Sequence, residues 1–359
     1  MSARAPRRAI IALAAAALAL SAAPARATFS IAAYDSVTQE LGVAVQSRAF
    51  SVGMAVPWAE AGVGAIATQA STNETFGPAG LALLRSGKPA PEVMRALLDA
   101  DSGSAHRQLG VVDARGRSAN FTGKQCSDWA GGITGPGYAI QGNILAGEAV
   151  VKGMERAFLD TKGELAERLL AALVAGQAAG GDKRGMESSA IVVVRPSDQY
   201  PEYRTRYVDL RVEDHKDPIN ELIRVYRLLE GQRLAEAHIR FAESYEKAGR
   251  KDLAQLERER VSESLRHALD RKDVDASTLN GLAWICATNN VHLEEALKAA
   301  ERAAALEPKN AEILDTLAEV HYRSGNPAKA VEVEGQALSY SPNDQYLKDQ
   351  INRFKSGIK

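Results

Sequence analysis

The sequence predicts an α+β chain, with sheet layers covered by helices in its first part and an all-α helical repeat in its second. Three observations carry this. Between Thr28 and about Glu213, glycine-bounded apolar runs of strand length come in sets, and amphipathic helical runs follow in pairs. From Asp217 onward the pattern is helical without interruption, beginning with Ile219, Leu222, Ile223, Tyr226 and Leu229 on one face. Near the C-terminus Ala296, Ala303 and Pro308 recur 34 positions later as Ala330, Ala337 and Pro342. Grouped strands and paired helices favour layered sheets over a doubly wound α/β sheet.

Before these elements comes a leader. M-S-A-R-A-P-R-R carries arginines and no acid, then A-I-I-A-L-A-A-A-A-L-A-L-S-A-A is apolar, then P-A-R-A supplies an A-x-A end. That order is the grammar of a secretory signal peptide. The apolar run is about 15 residues, short of the roughly 20 that span a bilayer as a helix. Cleavage after Ala27 is expected, leaving a periplasmic or secreted chain from Thr28 with no membrane span. Arg7-Arg8 fits the twin-arginine route as well as the general one.

The strand candidates are T-F-S-I-A-A-Y, L-G-V-A-V-Q-S, V-G-A-I-A-T-Q, H-R-Q-L-G-V-V-D, S-A-N-F-T, G-Y-A-I-Q-G, S-A-I-V-V-V and T-R-Y-V-D-L-R-V, with D-A-R-G-R as a hairpin turn. Helices are predicted over G-P-A-G-L-A-L-L-R, P-E-V-M-R-A-L-L-D, Ala146 to Leu159, and E-L-A-E-R-L-L-A-A-L-V-A-G. Domains follow as 1–27 leader, 28–215 sheet-and-helix domain, 216–233 helical linker and 234–359 repeat domain. In the repeat, Leu282-Ala283 answers Leu317-Ala318. An earlier unit reads through Phe241, Ala242, Tyr245, Gly249 and Ala254, and a capping helix through Gln345 to Phe354. Small residues at this spacing let paired helices approach closely, and the pattern resembles the tetratricopeptide repeat.

Composition narrows the chemistry. Lys plus Arg number 44 against 45 Asp plus Glu, with no polybasic run, so neither nucleic acid nor anionic lipid is an expected partner. The six histidines show no metal-binding spacing, and there is no G-x-S-x-G elbow or phosphate loop. G-V-G-A-I-A at Gly62 to Ala67 runs on into T-Q-A-S-T-N and not into a helix, so these are strand glycines and no nucleotide is expected there. No metal and no cofactor is predicted. Cys126 and Cys286 fall in different domains, where two free or buried thiols are expected.

A threonine hydroxyl is a poor nucleophile without a base, but an N-terminal threonine brings its own. An unperturbed α-amine titrates at about 7.7 to 8.0, close to what general-base catalysis needs. Thr28 is therefore either the nucleophile or merely the residue that follows the cleavage site and opens a strand.

T-F-S-I-A-A-Y-D, E-L-G-V-A-V-Q-S-R-A-F-S-V-G, V-P-W-A-E-A-G-V-G-A-I-A-T-Q-A and F-G-P-A-G-L-A-L-L-R-S-G are followed by R-Q-L-G-V-V-D-A-R-G-R, C-S-D-W-A-G, G-Y-A-I-Q-G-N-I-L-A-G and G-G-D-K-R-G. Together they resemble the family called domain of unknown function 1028, over about residues 28 to 215. The resemblance implies a four-layer αββα sandwich of the N-terminal nucleophile hydrolase type, with Thr28 as the exposed catalytic threonine. It implies no established substrate. Some relatives carry a peptidoglycan-binding module, which implies a cell-wall fragment as one substrate class, but this chain has helical repeats in that place. Glu187 stands where relatives more often have glutamine, which argues against an amide donor there.

The remaining candidates are polar residues in or beside apolar strands. Ser47 and Arg48 end the second strand, beside Thr28 if the first two strands form a hairpin. Arg48 is expected either to keep the amine neutral or bind a substrate carboxylate, or else to pair with an acid such as Asp35. Asn73 and Asn143 are candidate oxyanion donors, and Gln69 and Gln141 candidate substrate ligands, against the alternative that they satisfy backbone groups. Asp182 and Arg184 either line the pocket or pair with each other. Trp58 and Trp129 are substrate platforms or core. The expected function is exported amide hydrolysis of a small or peptide-like substrate, with repeats that bind a protein partner or form a homo-oligomer. The alternative is an inactive hydrolase fold serving as a periplasmic scaffold.

Overall fold

A computed structural model describes residues 28–196 and 205–358. Residues 1–27, expected as a leader, lie outside the described residues. The chain divides into two compact units, the first ending at Pro218 and the second beginning at Ile219.

The first unit holds two antiparallel sheets. One has six strands: β1 (Thr28–Tyr34), β2 (Leu41–Ser47), β7 (Gly131–Gly135), β8 (Tyr138–Asn143), β9 (Ser188–Val194) and β10 (Arg206–Val212), in the order β10-β9-β2-β1-β8-β7. The other has four in chain order: β3 (Pro57–Glu60), β4 (Gly64–Ala70), β5 (Arg107–Asp113) and β6 (Ser118–Thr122). The sheets meet through one face each, where Ala32, Val43, Val45, Ala65, Ala67, Val112, Ala139 and Val192 form a common buried cluster. Alternation along each strand sends the next residues outward. Ile66, Leu109 and Val111 pack on Phe76, Leu84, Val93 and Leu97 of helices α1 (Phe76–Arg85) and α2 (Ala90–Asp99). Phe29 and Gly42 meet Gly176 and Leu169 of α4 (Leu165–Ala178), and Tyr138 reaches Phe158 of α3 (Ala149–Asp160).

Eight strands match the runs read from sequence, and D-A-R-G-R is the β5–β6 turn. β3 and β7 were not among the expected strands. P-W-A-E opens on a proline and is four residues long, and G-G-I-T-G has almost no side chains to alternate. Both lie at sheet edges, where a missing N–H or a weak apolar pattern is tolerated. Helix α3 starts at Ala149, later than the expected Ala146, because Leu145 and Ala146 are tied to the loop of Gly181 and Asp182.

The second unit is helical. It runs from α5 (Pro218–Leu229) through a π-helical turn (Glu230–Leu234) to α6 (Ala235–Lys247), α7 (Lys251–Asp270), α8 (Ala276–Asn289), α9 (Leu293–Leu306), α10 (Ala311–Arg323), α11 (Pro327–Tyr340) and α12 (Gln345–Ser356). Segment 216–233, expected as a helical linker, is thus α5 and most of the π-helical turn. Asp275, Asn310, Asn326 and Asp344 cap the starts of α8, α10, α11 and α12 by accepting from backbone N–H groups. Ala296, Ala299, Ala300, Ala303, Ala330 and Ala337 are fully buried, so neighbouring helices pack at close range. Among the described residues no helix is long and apolar enough to cross a membrane.

Candidate functional site

The layer between the two sheets changes character along its length. At one end it is the apolar cluster given above. At the other, the same inward positions are Ser30 on β1, Gln69 on β4, Gln108 on β5 and Gln141 and Asn143 on β8, all nearly or fully buried. Thr28 stands at this polar end, the first residue of a strand flanked on both sides, with Ser47 opposite it on β2 and Asn143 opposite it on β8.

Buried amides must find partners, and here they find one another. Gln69 Nε2 donates to the Thr28 carbonyl at 3.2 Å, to the Gln141 carbonyl at 3.4 Å and to Gln108 Oε1 at 2.8 Å. Gln69 Oε1 accepts from Ser30 Oγ at 2.6 Å, and Gln141 Nε2 donates to that same hydroxyl at 2.7 Å. Gln108 is the hub. Its oxygen also accepts from Asn143 Nδ2 at 3.1 Å, and its nitrogen donates to the Gly142 carbonyl at 2.8 Å and to Thr122 Oγ1 at 2.9 Å. Asn120 Nδ2 extends the chain to Gln141 Oε1 at 3.1 Å. Gly110 makes room for it, since a Cβ there would collide with the Gln141 amide.

Thr28 Oγ1 and Ser47 Oγ are 3.0 Å apart, and Thr28 is 3% exposed. Beyond Ser47 the side chains turn away. The exposed Arg48 donates from Nη1 to the Met186 carbonyl at 3.0 Å, while Asp35, its expected alternative partner, pairs with Arg168 at 3.1 Å. Asp182, buried, accepts from the Arg48 backbone N–H at 3.0 Å and ion-pairs with Arg184 at 3.0 Å, so it ties the 180–187 loop to the end of β2. Lys183 N–H donates to the Ile144 carbonyl just past Asn143. Glu187 N–H donates to the Ser47 carbonyl.

The structure therefore brings Thr28, Ser47, Gln69, Gln141 and Asn143 together, with Arg48, Asp182 and Arg184 at the rim. Asn73 is placed apart from them: its side-chain oxygen accepts from Thr75 Oγ1 at 2.6 Å and Thr75 N–H at 3.2 Å, in the turn before α1. Trp58 belongs to the core under α1, its Nε1 donating to the Ala55 carbonyl. Gln108 and Ser30 were missed by sequence reasoning. Gln108 stands second in the apolar strand R-Q-L-G-V-V-D, the same signal that marked Gln69 and Gln141. Cys126 and Cys286 are both free. Burial pushes the Cys126 thiol above its ordinary value and Cys286 up to about 12, so neither is a ready thiolate.

The family model described as "Family of unknown function (DUF1028)" matches residues 28–222, just over half of the chain. The chain belongs to this family. Among solved structures, the DUF1028 chain is similar to the crystal structure of protein SPO2555 from Silicibacter pomeroyi. The two share 33% identity with a TM-score of 0.52, over 56% of this chain and 86% of that one. No curated protein matches it. The matched segment contains every residue of the polar cluster around Thr28.

Proposed function

We propose that residues 28–215 form an exported N-terminal threonine hydrolase of αββα architecture that cleaves an amide bond in a small or peptide-like substrate. The observation that carries this is the position of Thr28: first residue of a central strand, at the polar end of the inter-sheet layer, with a hydroxyl 3.0 Å from Ser47 Oγ. The layering is supported by α1 and α2 on the outer face of one sheet and α3 and α4 on that of the other.

In this reading, cleavage after Ala27 frees the Thr28 amine. Thr28 Oγ1 attacks the substrate carbonyl while the amine takes its proton and passes it to the leaving nitrogen, and water then hydrolyses the ester and restores the hydroxyl. Ser47 orients the nucleophile. Asn143 uses one amide N–H on Gln108 and keeps a second for the oxyanion. Gln69, Gln108 and Gln141 hold the two sheets in register around Thr28 and do not themselves reach for substrate.

The helices from Ala235 onward are read as tetratricopeptide-like repeats for a protein partner. Three successive helix pairs, a terminal helix and fully buried alanines at the recurring positions support this. The mutual saturation of the glutamine amides also fits the inactive-scaffold reading. Two measurements decide between the readings. N-terminal sequencing of exported protein should begin at Thr28, and an electrophilic amide or lactone probe should acylate Thr28 in the processed wild type and not in Thr28→Ala. A different N-terminus, or labelling that survives Thr28→Ala, refutes the hydrolase.

A further inference from the structure

Antiparallel strands give the first unit two poles. Gln69 and Gln108 lie at the Thr28 end of β4 and β5, so Gly64 and Asp113 mark the far end, about 20 Å away at the usual strand rise for seven residues. Three turns meet at that far end: β3–β4 at Gly62 and Val63, α1–α2 at Gly87 and Lys88, and β5–β6 from Ala114 to Arg117. Between them is a cavity of about 300 Å³, near the lower limit for small-ligand sites.

Its charge is one-sided. Arg85, Lys88, Arg115 and Arg117 line it, and the only acid in its lining is Asp113. Asp113 is buried and fully engaged: it accepts from the Ala90, Arg115 and Arg117 backbone N–H groups and from Arg117 Nε at 2.7 Å. That last bond fixes the Arg117 guanidinium by its inner nitrogen, and its two terminal nitrogens hydrogen-bond to none of the described residues. Arg85 is neutralised by Glu60 across the rim. Lys88 and Arg115 have no side-chain partner among the described residues, so two unpaired cations and one open guanidinium edge face a single cavity.

We propose that this cavity is a second ligand site, for a small phosphorylated anion carrying at least two negative charges. A planar carboxylate suits one guanidinium fork. Cations brought in from separate turns, with an ammonium among them, suit a tetrahedral oxyanion that accepts hydrogen bonds from several directions. The site is independent of Thr28 and of any hydrolase activity.

Titration calorimetry of the full-length protein with inorganic pyrophosphate at low ionic strength tests this, with citrate as the carboxylate control. Pyrophosphate should bind, weaken as salt is raised, and weaken about tenfold or more in the double variant Lys88→Ala/Arg115→Ala, on the scale of two partly exposed charge contacts. Both side chains are exposed, so the variant should keep the wild-type circular dichroism and melting temperature without ligand. Absence of pyrophosphate binding, equal binding by the variant, or citrate binding as tightly as pyrophosphate overturns the proposal.

Discussion

Replacing Gln108 by leucine tests the inter-sheet polar network at its centre. The side chain makes five hydrogen bonds: three donated, to the Gly142 carbonyl at 2.8 Å, Thr122 Oγ1 at 2.9 Å and the Gly131 carbonyl at 3.3 Å, and two accepted, from Gln69 at 2.8 Å and Asn143 at 3.1 Å. Leucine has the volume and none of the polarity. Gln69 keeps its bonds to the Thr28 and Gln141 carbonyls, so it is only partly orphaned, whereas Asn143 loses the one bond that its amide nitrogen makes. At about 1–3 kcal/mol for each buried polar group left unsatisfied, the cost comes to about 3–5 kcal/mol, equivalent to a fall of roughly 10 °C in melting temperature. Gln108→Glu separates the two halves of the network. As a carboxylate it still accepts from Gln69 and Asn143 but has nothing to donate to the Gly142 carbonyl. Its folded pKa would be raised by burial, so the variant should be closest to wild type in acid and lose stability as pH rises. Urea denaturation of both variants from pH 5 to 8 measures this. A loss below about 1 kcal/mol for leucine, or a pH-independent glutamate variant, would refute the claim that Gln108 is the hub.

Three further outcomes are expected. Thr28→Ser, processed at the same bond, should keep part of the amide hydrolysis that Thr28→Ala abolishes, as read by probe acylation; equal labelling of all three proteins would remove Thr28 from the chemistry. In the helical unit, burial and the neighbouring Asp315 carboxyl push Glu334 up to about 8, and burial also raises Asp315. Folded values above ordinary carboxylate values mean that the folded unit holds protons the unfolded chain releases. Stability should therefore be highest in acid and fall towards pH 8, by up to about 1.4 kcal/mol per pH unit for each proton; Glu334→Gln should flatten the melting temperature between pH 5 and 9, and an unchanged slope would contradict the buried pair. Finally, a chain ending at Pro218 should fold alone, because both sheets are complete at Val212; insolubility with no protease-resistant core would mean that α5 belongs to the first core.

What could be read from the sequence followed the strength of local periodicity. β1, β2, β4, β5 and β9 are apolar runs of strand length, and their grouping in the chain suggested stacked sheets. β3 and β7 carry too few apolar side chains for the same signal and exist because a neighbour offers an edge to pair with. The site was legible in kind, as polar residues inside apolar strands, but not in assignment. Gln69, Gln141 and Asn143 converge because β1, β4 and β8 place them on facing sides, a fact of register that no local pattern carries. Asn73 has the same amide and a neighbouring strand, yet its turn directs it to Thr75. Arg48 follows Ser47 in sequence and still points to Met186.

The strand order also sets a timetable. β2 emerges from the ribosome early, but its outer edge is covered by β9, and β9 in turn by β10, from the far end of the first unit. Until those residues are made, the hairpin that bears Thr28 has a bare edge along β2. Pairings so distant along the chain close slowly. The amides around Thr28 come from β4, β5 and β8, so the chain that carries them is complete before the strand that covers the open edge of β2 is made.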